Sequence, residues 1–444
     1  MAGLYIHIPF CKSRCIYCGF YSTTLSSTWQ DRYVDALCQE MEMRASPSPS
    51  QGGGCLPVLS MNGSQADRPS PPLEATGVFR AATEVAAAPQ RGANPPFATE
   101  DLGEVSTIYL GGGTPSLLSA ENLRRLFAAI HQHYDCSQLR ELTIECNPDD
   151  VTLPFVAVLQ QLGINRVSLG AQTFSDDRLR FLHRRHTAHQ VDEAIALLRH
   201  AGIRNISLDL MFGFPNQTLD EWDEDIAHAV ALQPEHISAY SLMYEEGTPL
   251  FEHLQKGHLS ELSDELSRQM YELLINRLDA ADYEHYEISN WARKVPLKEE
   301  TNSDNDGKSP WRSLHNSSYW NQTPYIGIGA AAHSYDGATR SWNVSNLQQY
   351  VSAIESGQRP YESETIDDDT RYNDIVTTAL RTREGINLNA LSVRHREYLL
   401  QQARRSLDAG LLAITDTPTG ESFIHLTRQG LFVSDDVMSD MIWV

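Results

Sequence analysis

The sequence predicts an α/β protein: a barrel, complete or partial, of about six parallel strands and helices, followed by a winged-helix-like C-terminal α+β module. Three observations carry this expectation. Short apolar runs rich in β-branched and aromatic residues alternate with helical stripes from residue 4 to about 288, the βαβ pattern of a parallel sheet. The residues with unusual chemistry fall at the C-terminal ends of those runs, where such folds hold their sites. From about residue 370 the pattern changes to helices followed by a hairpin signal.

Taken in order, the predicted strands are 4–8, 105–110, 141–146, 166–170, 205–211 and 236–243, with a seventh candidate at 284–288. Between them, Leu123, Leu126, Phe127 and Ile130 keep helical spacing, as do Val191, Ala194, Ile195 and Leu198, and Leu219, Trp222, Ile226 and Val230. These stripes face the core and carry no chemistry. In the tail, Tyr372, Ile375, Val376 and Ala379 are helical, 390–407 gives more helix, and 411–415 and 423–427 flank a turn with Pro418 and Gly420. Two stretches break the pattern. Residues 45–100 hold nine of the chain's 21 prolines, the run Gly52–Gly53–Gly54 and Cys55, and read as a disordered or loosely packed insertion. Residues 295–311 read as a polar surface loop.

Composition narrows the function classes. The 444 residues are 41% hydrophobic and 21% charged, a globular balance, with 35 basic against 58 acidic residues and a net charge of −23. So acidic a chain repels phosphate backbones, and no nucleic-acid partner is expected. Residues 371–444 carry eight basic and nine acidic residues, net −1, and a DNA-reading wing should be basic, so the expected role of the tail is packing or partner docking. No apolar run reaches the ~18 residues a membrane span needs, and no basic leader precedes the first strand, so a cytoplasmic location is expected.

Seven cysteines occur, and three of them, Cys11, Cys15 and Cys18, fall in one eight-residue stretch after the first strand. An odd count in a reducing compartment argues against a disulfide framework. Structural zinc wants four ligands, usually as two separated pairs, and no second pair is present. A 4Fe-4S cluster is held by thiolates, and three of them leave one iron open to a further ligand. Zinc stays the alternative. After the second strand stands Gly111–Gly112–Gly113–Thr114–Pro115. Without Cβ atoms this turn lets backbone approach a ligand, and its N–H groups are candidates for the amino acid end of a small cofactor; a plain tight turn is the other reading.

CKSRCIYC, with Tyr17 before the third cysteine, and GGGTP after the second strand resemble the radical S-adenosylmethionine superfamily. Within it, YIHIPFC, IECNP (144–148), LGAQTF (169–174), Arg184 and SLDLMFGFP (207–215) are similar to the anaerobic coproporphyrinogen III oxidase-like family. The resemblance covers about residues 4–44 and 104–440. It implies a partial barrel, a 4Fe-4S cluster on Cys11, Cys15 and Cys18, and S-adenosylmethionine on the fourth iron. It further implies cofactor contacts from Tyr5, Tyr17, Gly112, Gly113, Thr114, Glu145, Gln172, Arg184 and Asp209. A carboxylate suits the cofactor's ammonium, an arginine its carboxylate, and an acid its ribose. Arg184, in HRRHT, equally reads as a plain surface base. The resemblance separates two classes. Dehydrogenases carry a further Cys where Phe20 stands, and a long arm before the strand-one Tyr, whereas Tyr5 leaves room for four residues. Both features are similar to the HemW branch, the heme chaperones. That branch carries HNxxYW, matched by His315–Asn316–Ser317–Ser318–Tyr319–Trp320, and an acidic residue at the position of Gly19. His315 and Tyr319 are therefore candidate heme ligands; a packed surface-loop His with an aromatic pair is the other reading.

The expectation is a heme chaperone in porphyrin metabolism, with heme, a heme-acceptor protein and a cluster reductant as partners. An oxygen-independent coproporphyrinogen III dehydrogenase is the alternative, and a zinc scaffold the third. The expected organisation is a barrel over 1–290, a connecting region with HNxxYW over 291–365, and the C-terminal module over 366–444.

Overall fold

The computed structural model describes residues 2–24, 26–45, 104–295 and 308–444. Most of the 45–100 insertion, with Cys55, lies outside the described residues, as do residues 296–307 of the second loop. The barrel starts with β1 (Ala2–Ile8) and α1 (Ser27–Ala45), then β2 (Val105–Gly112) and α2 (Ala120–His133), β3 (Glu141–Cys146) and α3 (Leu153–Gln161). It continues through β4 (Arg166–Gln172), α4 (Asp176–Phe181), α5 (Ala188–His200), β5 (Asn205–Phe212), α6 (Leu219–Ala231) and β6 (His236–Ser241). Helices α7 (Pro249–Gln255) and α8 (Asp264–Ala280) close this part. The helices start where a side-chain oxygen can take up an orphan N–H. Ser119 caps α2, and Thr218 with Glu221 forms a reciprocal box on α6.

All six predicted barrel strands form and pair in parallel, β1 to β6 in chain order. Their outward side chains, Ile108, Leu142, Val167, Leu169, Ile206 and Leu208, meet the predicted stripes of α2, α5 and α6 in one buried core. The seventh candidate differs. β7 (Tyr283–Glu287) pairs antiparallel with β8 (Asn290–Arg293), and β8 pairs antiparallel with β6, so this hairpin ends the parallel run on one side. On the opposite side, the stretch expected as a connector extends the same sheet. After α9 (Leu314–Trp320), β9 (Tyr325–Ile328) pairs parallel with β1. β10 (His333–Tyr335), β11 (Thr339–Asn343), α10 (Leu347–Glu355) and β12 (Tyr361–Thr365) follow, with the three strands antiparallel. The resulting twelve-stranded sheet has two edges, so the barrel is partial.

The tail comprises α11 (Asp368–Ala379), β13 (Ile386–Asn387), α12 (Val393–Gln402), α13 (Arg404–Asp408), β14 (Leu412–Asp416), β15 (Ser422–Leu426), α14 (Arg428–Leu431) and α15 (Ser434–Asp440). Its three strands form a separate antiparallel sheet, with the predicted hairpin as β14–β15. Tyr372, Val376, Leu399, Ile424 and Met441 give the tail its own core. A buried ion pair, Arg381 Nε to Glu287 at 3.0 Å, ties it to β7. Among the described residues no helix is long and apolar enough to cross a membrane.

Candidate functional site at the C-terminal rim of the sheet

The cysteine loop leaves β1 and is pinched at its neck. The Cys11 amide donates to the Thr23 carbonyl at 2.8 Å, and the Thr23 amide donates to the Pro9 carbonyl at 2.7 Å. Its middle is anchored at Ile16, whose amide donates to the Leu182 carbonyl at 3.3 Å and whose carbonyl accepts from the Leu250 amide at 3.0 Å. Ile16 is buried with Leu182, Phe214 and Leu250. A short cysteine-rich segment thus keeps a fixed place over the rim without any sulfur in the core.

All three thiols are half-buried and free. Two of them meet side-chain donors from other segments: Thr114 Oγ1, just after β2, reaches Cys11 Sγ at 3.6 Å, and Arg184 Nη1, between α4 and α5, reaches Cys15 Sγ at 3.7 Å. Burial pushes the Cys18 thiol up to about 11. Among the described residues no three His, Cys, Asp or Glu side chains converge as metal ligands.

The glycine turn meets this loop from β2. β1 and β2 run in register with His7 opposite Gly111 and Ile8 opposite Gly112. A Cβ on Gly113 would lie 2.7 Å from the Phe10 carbonyl oxygen, and Gly112 adopts φ +113° with the His7 ring where its Cβ would be. Two of the N–H groups expected to be free for a ligand are spent. Gly113 donates to the Ile8 carbonyl at 2.8 Å and Gly112 to Glu145 Oε2 at 3.1 Å. The glycines therefore supply close approach of two strands rather than a bare donor cradle.

Glu145, at the end of β3, also accepts from the Tyr109 hydroxyl at 2.8 Å. Burial pushes its carboxyl up to about 7 despite these two donors. Asp209 on β5 accepts from the Ser168 hydroxyl at 3.1 Å, and burial pushes it up to about 6. Gln172 takes a left-handed φ of 68° at a register shift in β4, and its Nε2 stands 2.9 Å from where a Gly170 Cβ would be. Arg184 is not a plain surface base. Its guanidinium is held by the Gly170 carbonyl at 2.8 Å and by Asn147 Oδ1, and its buried Nε has no partner. Tyr17 lies beside Arg184 and Cys15, its phenol pushed upward by burial. Tyr5 sits deeper, 2% exposed, with its hydroxyl on His7 Nδ1 at 3.0 Å. Cysteines, glycines, Thr114, Glu145, Gln172, Arg184 and Asp209 thus share one rim, with Tyr5 beneath it. Gly19 packs against the Glu245 side chain, which would be 3.2 Å from its Cβ, so the acid at this place comes from the loop after β6.

HNxxYW lies elsewhere. α9 seats beneath the sheet, its N-terminus held by buried Glu141, which accepts from the Leu314 amide at 2.8 Å and the His315 amide at 3.0 Å. His315 is 1% exposed, so it is not on a surface loop. Its Nδ1 pairs with Thr107 Oγ1 and its Nε2 with the Tyr319 hydroxyl, both at 2.9 Å, and burial pulls its pKa down to about 3. The imidazole stacks on Tyr109 at 5.0 Å between centroids, and Tyr109 in turn holds Glu145. A polar ladder therefore runs from α9 to the rim.

Three participants escape sequence reading, Tyr109, Ser168 and Arg166, and Asn147 stands in IECNP without an assigned role. Arg166 is 1% exposed, with Nε and Nη1 unpartnered, and its charge bears on Glu145, Asp209 and His315. The available signal was the period-2 spacing of polar residues in β2 and β4, which marks a polar inner face.

A model of the Radical SAM superfamily matches residues 97–229. The chain is 30% identical to "Heme chaperone HemW" of Bacillus subtilis (strain 168), over 98% of each chain. It is also 30% identical to the protein of that name from Mycobacterium tuberculosis (strain ATCC 25618 / H37Rv), over 99% of this chain and 94% of the other. Among solved structures it resembles the Escherichia coli radical SAM enzyme coproporphyrinogen III oxidase (HemN), with a TM-score of 0.71, 19% identity, and 99% and 90% of the two chains covered. That likeness concerns the fold.

Proposed function

Because the chain belongs to the HemW family of the radical SAM superfamily, we propose that it is a heme chaperone that binds heme and passes it to an acceptor protein, with a 4Fe-4S cluster and S-adenosylmethionine at the C-terminal rim. The observation that carries the cofactor part is the convergence of the cysteine loop, the glycine turn, Glu145, Gln172, Arg184 and Asp209 on that rim. The donor set fits. Three thiols on an anchored loop suit iron, the unspent Arg184 Nε–H suits a carboxylate, and two buried acids suit an ammonium and a ribose. When bound, the cluster supplies one-electron reduction of the sulfonium. The protein's part is to hold both groups and keep water from them. Phe20, 44% exposed where the dehydrogenases have a further cysteine, supports the chaperone over the oxidative decarboxylase. Heme ligation by His315 or Tyr319 requires α9 to leave its seat, since both ring nitrogens are in use.

Anaerobic reconstitution followed by heme titration tests the reading. About four irons per chain and retained heme are expected, without vinyl product from coproporphyrinogen. Turnover of that substrate, or one zinc in place of iron, would overturn it.

Cofactor affinity should depend on pH. Glu145 ionises near 7 in the fold, above its ordinary 4.5, so the folded chain holds this proton more tightly than the unfolded one. Its ionisation therefore weakens the fold as pH rises through about 7, and a cationic ligand relieves that cost. S-adenosylmethionine affinity of the reconstituted protein is expected to rise about tenfold from pH 5.5 to 8, and Glu145→Gln to flatten the profile. A flat wild-type profile in calorimetry would remove Glu145 from the ammonium's environment.

A further inference from the structure

A cleft of about 660 Å³ opens on the outer side of the cysteine loop, between that loop, α4 and α7. Cys15 and Cys18 contribute to its wall, but none of the expected S-adenosylmethionine contacts does. Its charge is unlike that of the chain. In a protein of net charge −23, Arg14, Arg178, Arg180, His183, His253 and His258 line it, and no Asp or Glu does. Ile16, Phe181 and Leu259 give it an apolar wall.

The cations differ in freedom. Arg178 is fixed, donating to the Pro215 carbonyl at 2.7 Å and paired with Glu221. Arg14 makes one long contact, to the Cys18 carbonyl at 3.5 Å. Arg180 pairs with Asp177 in solvent, both side chains largely exposed, so that pair exchanges for another anion at little cost. The two histidines are brought together by the end of α7. Gly257 takes φ +68°, the left-handed turn that ends a helix, and the His258 amide then donates to the His253 carbonyl at 3.0 Å. Their Nδ1 atoms face each other at 3.4 Å on exposed rings. The cleft thus offers imidazole nitrogens, an apolar wall and two available guanidiniums. Its volume lies within the ~300–1,000 Å³ usual for cofactor-sized ligands.

We propose that this cleft is the heme seat. The apolar ring lies against Ile16, Phe181 and Leu259, the two propionates are drawn to Arg14 and Arg180, and His253 or His258 supplies an axial nitrogen to the iron. This inference rests on the heme-chaperone reading and gives that reading a place. It also sets the heme beside the wall formed by Cys15 and Cys18, so occupancy of the cleft and of the cysteine loop are felt by each other.

The test is heme titration of the full, anaerobically reconstituted chain, read by absorption spectrum and affinity. His253→Ala/His258→Ala is expected to shift the heme absorption band and weaken binding by about tenfold or more. Arg14→Gln/Arg180→Gln is expected to weaken binding about tenfold without shifting the band, an effect that shrinks in high salt. All four side chains are on the surface, so unchanged far-ultraviolet circular dichroism checks folding. Wild-type affinity and spectrum in both double variants would overturn the inference. So would arginine variants that alter only the rate of cluster reduction by an acidic electron donor, which would make the cleft a protein docking site. A wild-type chain that takes up no heme fails the chaperone reading itself, a distinguishable result.

Discussion

A Cys15→Ser chain is expected to leave anaerobic reconstitution without the visible absorption of an iron–sulfur cluster, its iron falling from about four per chain toward none. Its unfolding free energy should stay within about 0.5–1 kcal/mol of wild type. The separation of the two effects follows from how the loop is held. Backbone bonds at Pro9, Cys11 and Thr23 close the neck, and Ile16 anchors the middle, so the sulfur carries none of the loop's structure. Serine keeps an acceptor for Arg184, the partner Cys15 Sγ has at 3.7 Å. Metal analysis and a denaturant titration on the same preparation check both halves. Retained cluster absorption would remove Cys15 from the ligand set, and loss of the fold would mean that the loop, not the sheet, sustains the core.

His315→Ala is expected to cost about 2–4 kcal/mol of stability, from the cavity it leaves and from Thr107 and Tyr319 losing a buried partner. Because the ring stacks on Tyr109, which holds Glu145, S-adenosylmethionine binding should weaken as well. Heme binding should change less than in the His253/His258 variant. Denaturant melts beside heme and cofactor titrations separate the cases. Undiminished stability with heme binding abolished would return His315 to the iron.

Much of the fold was legible because a parallel sheet writes itself locally. Each barrel strand is a short β-branched run, each helix a 3.6-period stripe, and both can be read within a dozen residues. The hairpin β14–β15 announced itself through Pro418 and Gly420 in the same way. The antiparallel turn of β7 was not legible, since Tyr283–Glu287 has the composition of a seventh barrel strand and only its pairing with β8 shows otherwise. Nor were β9 to β12, whose short segments are stabilised by the neighbours they join rather than by their own pattern.

Within the site, spacing revealed the groups whose chemistry is bound to a local run: Cys11, Cys15 and Cys18 on one loop, and the glycine turn after β2. Arg184 was ambiguous because HRRHT looks like any basic surface patch until Gly170 and Asn147 are placed against it. HNxxYW singled out His315 but gave an incomplete picture of where it sits. Its two ring partners, Thr107 and Tyr319, lie 208 and 4 residues away, and only the nearer one is visible in HNxxYW.

By itself the sequence determined the βα alternation, the gathering of three cysteines on one loop and the family, because these depend on residue type and short spacing. Only the tertiary structure decided that His315 on α9 is buried against β2, that Glu145 and Asp209 are buried deeply enough to hold protons near neutrality, and that three arginines and three histidines line one cleft of an acidic protein. Each of those depends on which distant side chains meet once the sheet closes, and on how much water that meeting excludes, and neither is written in any local stretch of chain.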